Sequence, residues 1–260
     1  MLELTRLLYG PAAQRGEPFK NFTNPHGHSA GLSTFHFTQI NERILEQAWQ
    51  LLPSHGQRAG LVVEVGSFIG RSSVLIGNWL RERGVPLLCI DTWSGSLPMT
   101  LGHTYADEVA KRNGQPTFYH KWLLNVIAAN LTESVLPLVA PSLLGARVLD
   151  YLRLAVDVVY LDSAHELRET FLELSAFWPL VKPGGLLLGD DFNWRAVSHD
   201  AQLFARTHGL ELSSFDGCHE RLRSGAGGGL CVWYIRKPLH ARFSGQVDRR
   251  PVLRRKPGVR

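Results

Sequence analysis

The stretch Leu61-Val62-Val63-Glu64-Val65-Gly66-Ser67-Phe68-Ile69-Gly70-Arg71-Ser72-Ser73 decides the fold. Residues 61–65 are a short β-rich run, Gly66 to Gly70 supplies a tight turn, and Ser72 to Arg83 has helical spacing that stops at Gly84. A strand that turns on glycine into a helix start is a general solution for nucleotide-like ligands, because helix N–H groups gather at one end of a sheet. Gly66 and Gly70 allow close backbone approach, and Ser72 or Ser73 can cap the helix. Alone, G-x-x-x-G is weak, since a purely structural turn has the same pattern.

Strand and helix signals alternate outward from this stretch. Leu87–Ile90, Val135–Val139, Val156–Leu161 and Leu186–Leu188 read as further strands, and Leu210–Ser214 with Leu230–Ile235 as a closing pair. Helices are expected over Thr38–Leu52 (apolar at Ile40, Ile44, Leu45, Ala48 and Leu51), Trp122–Leu131, Glu166–Trp178 and Ala196–Thr207. Pro141 and Lys182-Pro-Gly-Gly185 read as turns. Such alternation implies an α/β fold with a mostly parallel, doubly wound, Rossmann-like sheet of seven strands and helices on both faces. Ligands of such sheets sit beyond the carboxyl ends of the strands, so residues 92–120 are placed to contact a substrate.

Asp91 ends the second strand, about 20 residues past the glycine turn, where a carboxylate commonly holds ribose hydroxyls. Dinucleotide-binding proteins share that geometry, but this loop lacks G-x-G-x-x-G. Glu64, directly before it, would repel a pyrophosphate and suit an ammonium group.

Val63 to Ser73, Ile90-Asp91-Thr92-Trp93-Ser94-Gly95, Tyr160-Leu161-Asp162-Ser163-Ala164-His165-Glu166 and Leu180 to Gly185 through Asp190-Asp191-Phe192 together resemble class I S-adenosylmethionine-dependent methyltransferases. More narrowly, they resemble the small-molecule O-methyltransferase branch called methyltransferase-24, related to catechol and macrolide-sugar O-methyltransferases. The resemblance spans residues 60–236 in the same motif order and implies S-adenosylmethionine as cofactor and an antiparallel last strand. It places the cofactor against Glu64, Gly66, Ser67, Gly70, Ser72, Asp91, Trp93, Ser142 and Asp162, with Ser142 on the adenine side. In metal-dependent relatives the positions of Asp162, Asp190 and Asp191 bind Mg²⁺. Three carboxylates at the ends of adjacent parallel strands are costly without a compensating cation, and Mg²⁺ favours such oxygen ligands. Catechol-type relatives hold a lysine base where His165 stands, and an imidazole with an ordinary pKa near 6.5 can serve as base instead. Trp93 can cover the cofactor or simply pack, while His26, His28, His103, Tyr105 and His120 are candidates for shaping a substrate site.

The remaining chain sets bounds. With 260 residues, 44% hydrophobic and 20% charged, a large core is available. Residues 1–55 are expected to form an arm and helix that can cover the active site, 56–238 the methyltransferase domain, and 239–260 a flexible basic tail with Arg249, Arg250, Arg254, Arg255, Lys256 and Arg260. The net charge of +5 is concentrated there, so a nucleic-acid partner is the minor reading, with a small-molecule acceptor as the expected partner. No apolar run has the length of a signal peptide core or a membrane span, so a cytoplasmic protein is expected, with homo-oligomerisation left open. Three widely spaced cysteines, Cys89, Cys218 and Cys231, argue against a disulfide framework. The same residues allow a metal-independent methyltransferase, an RNA-binding protein using the tail, or a scaffold retaining the cofactor fold.

Overall fold

The computed structural model describes residues 1–31, 39–53, 60–100, 111–163, 165–215 and 231–240, apart from the side chains of Pro98 and Thr100. His103, Tyr105, Cys218, Leu230 and residues 241–260 of the expected tail lie outside the described residues. The chain order is α1 (Leu2–Tyr9), α2 (Glu42–Leu51), β1 (Val62–Val65), α3 (Arg71–Arg81), β2 (Leu87–Asp91) and α4 (Leu97–Thr100). There follow β3 (Lys111–Arg112), β4 (Gln115–Pro116), α5 (Phe118–Ala128), β5 (Val135–Val139), α6 (Ser142–Tyr151) and β6 (Val156–Leu161). Then come α7 (Glu169–Phe177), β7 (Val181–Gly189), α8 (Arg195–His208), β8 (Leu212–Ser214) and β9 (Trp233–Arg236).

Seven strands form one sheet in the order β5-β2-β1-β6-β7-β9-β8. The inner pairs are parallel, and β9 runs antiparallel to both β7 and β8. This is the expected Rossmann-like α/β architecture. Alternate residues divide into two cores, one per face. Val63, Val65, Leu88, Ile90, Val159, Leu161 and Leu187 pack with α6, α7 and α8. Val62, Leu87, Cys89, Val158, Tyr160, Leu186 and Leu188 face α2, α3 and α5. Strands covered on both faces carry the near-continuous apolar runs seen in the sequence. No helix among the described residues is long and apolar enough to cross a membrane.

Four sequence expectations are corrected. The arm is not irregular at its start: α1 buries Leu4, and Tyr9 donates a hydrogen bond to the carbonyl of Pro137 on β5. Pro137 is tolerated because β5 is an edge strand. Helix α6 follows Pro141 directly, where only a turn was expected. Its interior Gly145 marks close packing, since a Cβ there would fall 2.6 Å from Ile90 Cγ2. Residues 182–185 continue β7 instead of turning, with Gly184 at φ 79° and a register shift opposite Val156 and Val158. Lys182 anchors the irregularity through an ion pair with Asp157 at 2.9 Å. Finally, Cys231 is disulfide-bonded, whereas Cys89 is free and buried.

The far end of β7 is fixed by Trp233 of β9, whose Nε1 donates to the Asp190 carbonyl at 3.0 Å. A Cβ on Gly189 would sit 2.0 Å from Trp233 Cζ2. Gly189→Ala is therefore expected to lower the unfolding free energy by about 1–3 kcal/mol in a denaturant titration, since overpacking a filled core shifts side chains and backbone.

Candidate functional site

The carboxyl ends of β2, β1, β6 and β7 lie side by side. Beyond β1 the chain turns through Gly66 (φ 87°), Phe68 (φ 44°) and Gly70 (φ 93°) into α3. Glu64 is fully buried on β1, paired in register with Cys89 and Tyr160. Its Oε2 accepts from Ser67 Oγ at 2.7 Å and from Ser73 Oγ, which in turn accepts from Trp122 Nε1 at 3.0 Å. Burial raises the Glu64 pKa, against the opposing pull of these hydroxyls. Glu64 thus ties the loop to the first turn of α3 and presents no exposed carboxylate here. Neither Ser72 nor Ser73 caps α3; the N-cap is Gly70 in the left-handed conformation.

Asp91 holds the same loop from the other side. Its Oδ2 accepts the backbone amides of Ser67 (2.8 Å) and Phe68 (2.9 Å), and its Oδ1 accepts that of Trp93 (2.7 Å). Burial raises its pKa despite those amides. Trp93, itself buried, donates from Nε1 to the Phe68 carbonyl at 2.7 Å and packs against Tyr119 and Trp122. The glycines have a packing reason beyond close approach to a ligand. A Cβ on Gly66 would meet the Asp162 carbonyl at 2.2 Å, and one on Gly70 would meet Trp122 Cδ1 at 2.9 Å.

Across the sheet, Asp162 follows β6, and Asp190 and Asp191 follow β7. These three aspartates line one cleft with Ser163, His165, Glu173 and Trp233. The structure gathers Asp162, His165 and Asp191, each able to offer a ligand atom within 4.8 Å of the others. Asp190 lies beside that group with its oxygens already engaged: its Oδ2 accepts from Tyr160 Oη (2.6 Å) and the Gln39 amide (3.3 Å), and its Oδ1 from the Asp191 amide (2.8 Å). Gln39 also donates to Asp191 Oδ1 at 2.7 Å and accepts from the Cys231 amide. Burial, then the charges of Asp190 and Asp191, push the Asp162 pKa well up. Burial raises that of Asp190 to about 7.

His165 Nε2 lies 2.7 Å from Asp191 Oδ2, and its ring rests against Trp194. Burial alone would lower the imidazole's pKa; the hydrogen bond and charge of Asp191, with Asp190 and Glu173, outweigh it and raise the pKa.

Tyr160, Gln39 and Glu173 escaped the sequence reading. Glu173, buried on α7, accepts from Ser163 Oγ at 2.8 and 2.9 Å and also hydrogen-bonds Ser142, the first residue of α6. It therefore pins both Ser163, just after Asp162, and the start of α6. The helical period that places Glu173 on an inward face of α7 was its only sequence signal. The insert is only partly described: Trp93 joins the loop, whereas His120 on α5 meets His26 of the arm, which also contacts His28.

Burial raises the Glu173 pKa to about 7. From the ordinary carboxyl range up to that value the folded chain keeps a proton that the unfolded chain has lost, so stability falls as pH rises through this window. Glu173→Gln, which cannot ionise, is expected to remove that decline. The stability difference between variant and wild type should change by about 3 kcal/mol between pH ~4 and pH ~8 in denaturant titrations. Gly66→Ala is expected to abolish measurable S-adenosylmethionine binding by calorimetry, because both φ and the Asp162 contact exclude a side chain.

A family model described as a methyltransferase domain, methyltransferase-24, matches residues 63–192, half of the chain. No curated protein matches the sequence. Among solved structures, similarity extends to CalS11, a TDP-rhamnose 3'-O-methyltransferase of calicheamicin biosynthesis (14% identity, 75% of this chain and 77% of that one, TM-score 0.49). It extends also to an O-methyltransferase from Bacillus cereus in complex with SAH (13%, 76% and 93%, 0.46). A third is an SAH-bound methyltransferase from Podospora anserina (11%, 74% and 78%, 0.46). At such identities and scores these three say nothing of the acceptor. The family match, spanning both the glycine loop and the acidic segments, assigns the chain: it belongs to the methyltransferase-24 family and is a class I, S-adenosylmethionine-dependent methyltransferase.

Proposed function

We propose that this methyltransferase acts on a hydroxyl oxygen of a small molecule, with His165 as the proton acceptor. The observation that supports this best is the 2.7 Å contact between His165 Nε2 and Asp191 Oδ2 at the rim of the acidic cleft. A base oriented by a carboxylate is the recurrent arrangement for activating a hydroxyl nucleophile. Asp191 fixes which imidazole nitrogen is engaged and strengthens the other as an acceptor; Trp194 limits the ring's rotation.

S-adenosylmethionine supplies a methyl group already activated on sulfonium, so the protein's task is alignment and deprotonation. The Ser67–Gly70 loop, Asp91, Trp93 and Ser142 are the residues we assign to the cofactor. Asp91 holds the loop's backbone through the Ser67 and Phe68 amides, and Glu64 holds the Ser67 hydroxyl. Glu64 acts in this reading through Ser67 and Ser73, keeping the loop in its turn conformation.

The donor set fits a divalent cation: Asp162 and Asp191 offer two carboxylates close together, the number with which Mg²⁺ is commonly held. Such an ion, when bound, supplies Lewis acidity that lowers the pKa of neighbouring hydroxyls. Asp190 is not assigned as a ligand here; with Tyr160 and Gln39 it keeps Asp191 turned towards the cleft. The His165–Asp191 pair also supports a metal-independent variant of the same reaction, because it is complete without an ion.

The test is release of S-adenosylhomocysteine across sugar, catechol and polyketide acceptors, with Mg²⁺ or with EDTA. His165→Ala is expected to lower kcat by about 10²–10⁴-fold. Asp191→Asn removes the charge that raises His165, so the acidic limb of the rate profile should move to lower pH. Unchanged kcat in His165→Ala with the best acceptor would remove the proposed base. Activity that survives EDTA in full would remove the metal and leave the dyad.

A further inference from the structure

A second cluster of chemistry joins the arm to α5 and shares no residue with the lining of the acidic cleft. His26 and His28 of the arm meet His120 of α5. The His26 and His120 rings are 4.6 Å apart at 84°, and the His26 and His28 rings 5.8 Å apart at 65°. His28 Nε2 and His120 Nδ1 are buried and have no hydrogen-bond partner. Orphaned buried nitrogens are rare in folded proteins and call for an unplaced ligand or water. The other side of the His28 ring hydrogen-bonds the backbone of Thr117, the contact by which metal-bound histidines are usually oriented.

We propose that His26, His28 and His120 bind one zinc-class divalent cation that fastens the arm to α5. Two imidazoles on one tetrahedral ion, with Zn–N bonds of about 2.0–2.1 Å, place their ring centres roughly 5 Å apart, and the two observed spacings bracket that value. Among the described residues only Asp162, His165 and Asp191 already have three ligand atoms within 4.8 Å. A common point for the three imidazoles requires their rings to turn from the positions described, about His26, the ring that touches both others.

An all-nitrogen set selects Zn²⁺, Co²⁺ or Ni²⁺ over Mg²⁺. Burial, and for His28 also the nearby Lys121 and Arg112, lowers the pKa of His28 and His120, which keeps both rings neutral and able to coordinate. Those cations leave the fourth position to water or a small anion.

The arm is shaped for this. Asn24 closes a turn on His28, donating to its carbonyl at 2.6 Å and accepting its amide at 3.0 Å. The Gly31 amide donates to Asn125 Oδ1 at 2.9 Å, and Lys121 donates to the Ser29 carbonyl. Asn125 also donates to the Ile69 carbonyl of the cofactor loop at 2.8 Å, so an ion that fastens the arm also steadies that loop from behind.

Co²⁺ serves as a spectroscopic probe on the full chain, with excess Mg²⁺ present to occupy the carboxylate group. One equivalent of Co²⁺ should bind and give the intense visible bands of a tetrahedral nitrogen site, and Zn²⁺ should displace it. His28→Gln and His120→Gln should each weaken Co²⁺ at least tenfold while His165→Gln leaves the bands in place; circular dichroism checks that every variant is folded. Bands that vanish in His165→Gln and persist in the other two variants would overturn the site, assigning the ion to the acidic cleft. No Co²⁺ bands in the folded wild-type chain would overturn it equally. Because the readout is metal binding and not turnover, it stands apart from the assignment of His165 as base.

Discussion

The contact between Gly66 and the peptide joining Asp162 to Ser163 is the constraint on which the site depends. A side chain on residue 66 would lie 2.2 Å from the Asp162 carbonyl oxygen and 2.7 Å from the Ser163 Cα. The strand ladders run past their ends to make this contact: the Gly66 amide donates to Ile90 O at 2.9 Å and the Asp162 amide to Val65 O at 2.8 Å. The carboxyl ends of β2, β1 and β6 therefore behave as one rigid edge, in which the cofactor loop and the acidic segment cannot shift independently. Glu173 extends that edge to α6 and α7 by holding Ser163 and Ser142 together.

That edge is unusually acidic for its burial. Glu64, Asp162, Asp190 and Glu173 have raised pKa values, and in each the first cause is loss of water. Hydroxyls from Ser67, Ser73, Tyr160 and Ser163 recover part of that cost, each hydrogen bond to an ionised group being worth on the order of 1.5–3 kcal/mol. Around Asp162 the charges of Asp190, Asp191 and Glu64 add to the penalty. A positively charged ligand entering the cleft relieves the repulsion and the desolvation together, so its binding is coupled to proton release.

The fold was legible because its signals are redundant. β5 and β6 match their sequence bounds residue for residue, since a run such as Val156–Leu161 is apolar except at Asp157 and stops at Asp162. Failures came where tertiary contacts override local signals. Pro141 reads as a turn but leads straight into α6, whose Gly145 is demanded by Ile90, and Gly184 with Gly185 reads as a turn but lies in a strand fastened by Lys182 and Asp157. Asn41, whose side chain caps α2 by accepting from the Ile44 amide at 3.1 Å, trims that helix relative to its apolar period. In the site, Asp91, Asp162 and His165 were visible as residue types at strand ends. Gln39 carries no motif, and Tyr160, though it opens the Tyr160–Glu166 segment, carried no signal of its role, because the importance of both arises only when the arm and β6 meet at Asp190.

The aspartate pair shows why spacing alone could not assign the acidic cluster. Successive residues of a strand point to opposite faces, so Asp190 continues the row of Leu188 towards the face that also carries Tyr160. Its neighbour would ordinarily point to the other face. Asp191 instead adopts φ 54°, a left-handed conformation that aspartate tolerates better than most residues, and the turn begins there, with the Trp194 amide donating to its carbonyl at 2.7 Å. Its carboxylate swings to His165, while Asp190 stays locked beneath it, accepting its amide. Two adjacent aspartates thus do different work: Asp190 holds the Tyr160 hydroxyl and the Asp191 amide, and Asp191 holds His165. Adjacency in sequence suggested three converging ligands; strand parity and a single left-handed residue give Asp190 the Tyr160 hydroxyl and the Asp191 amide as partners and bring Asp191 beside Asp162 and His165.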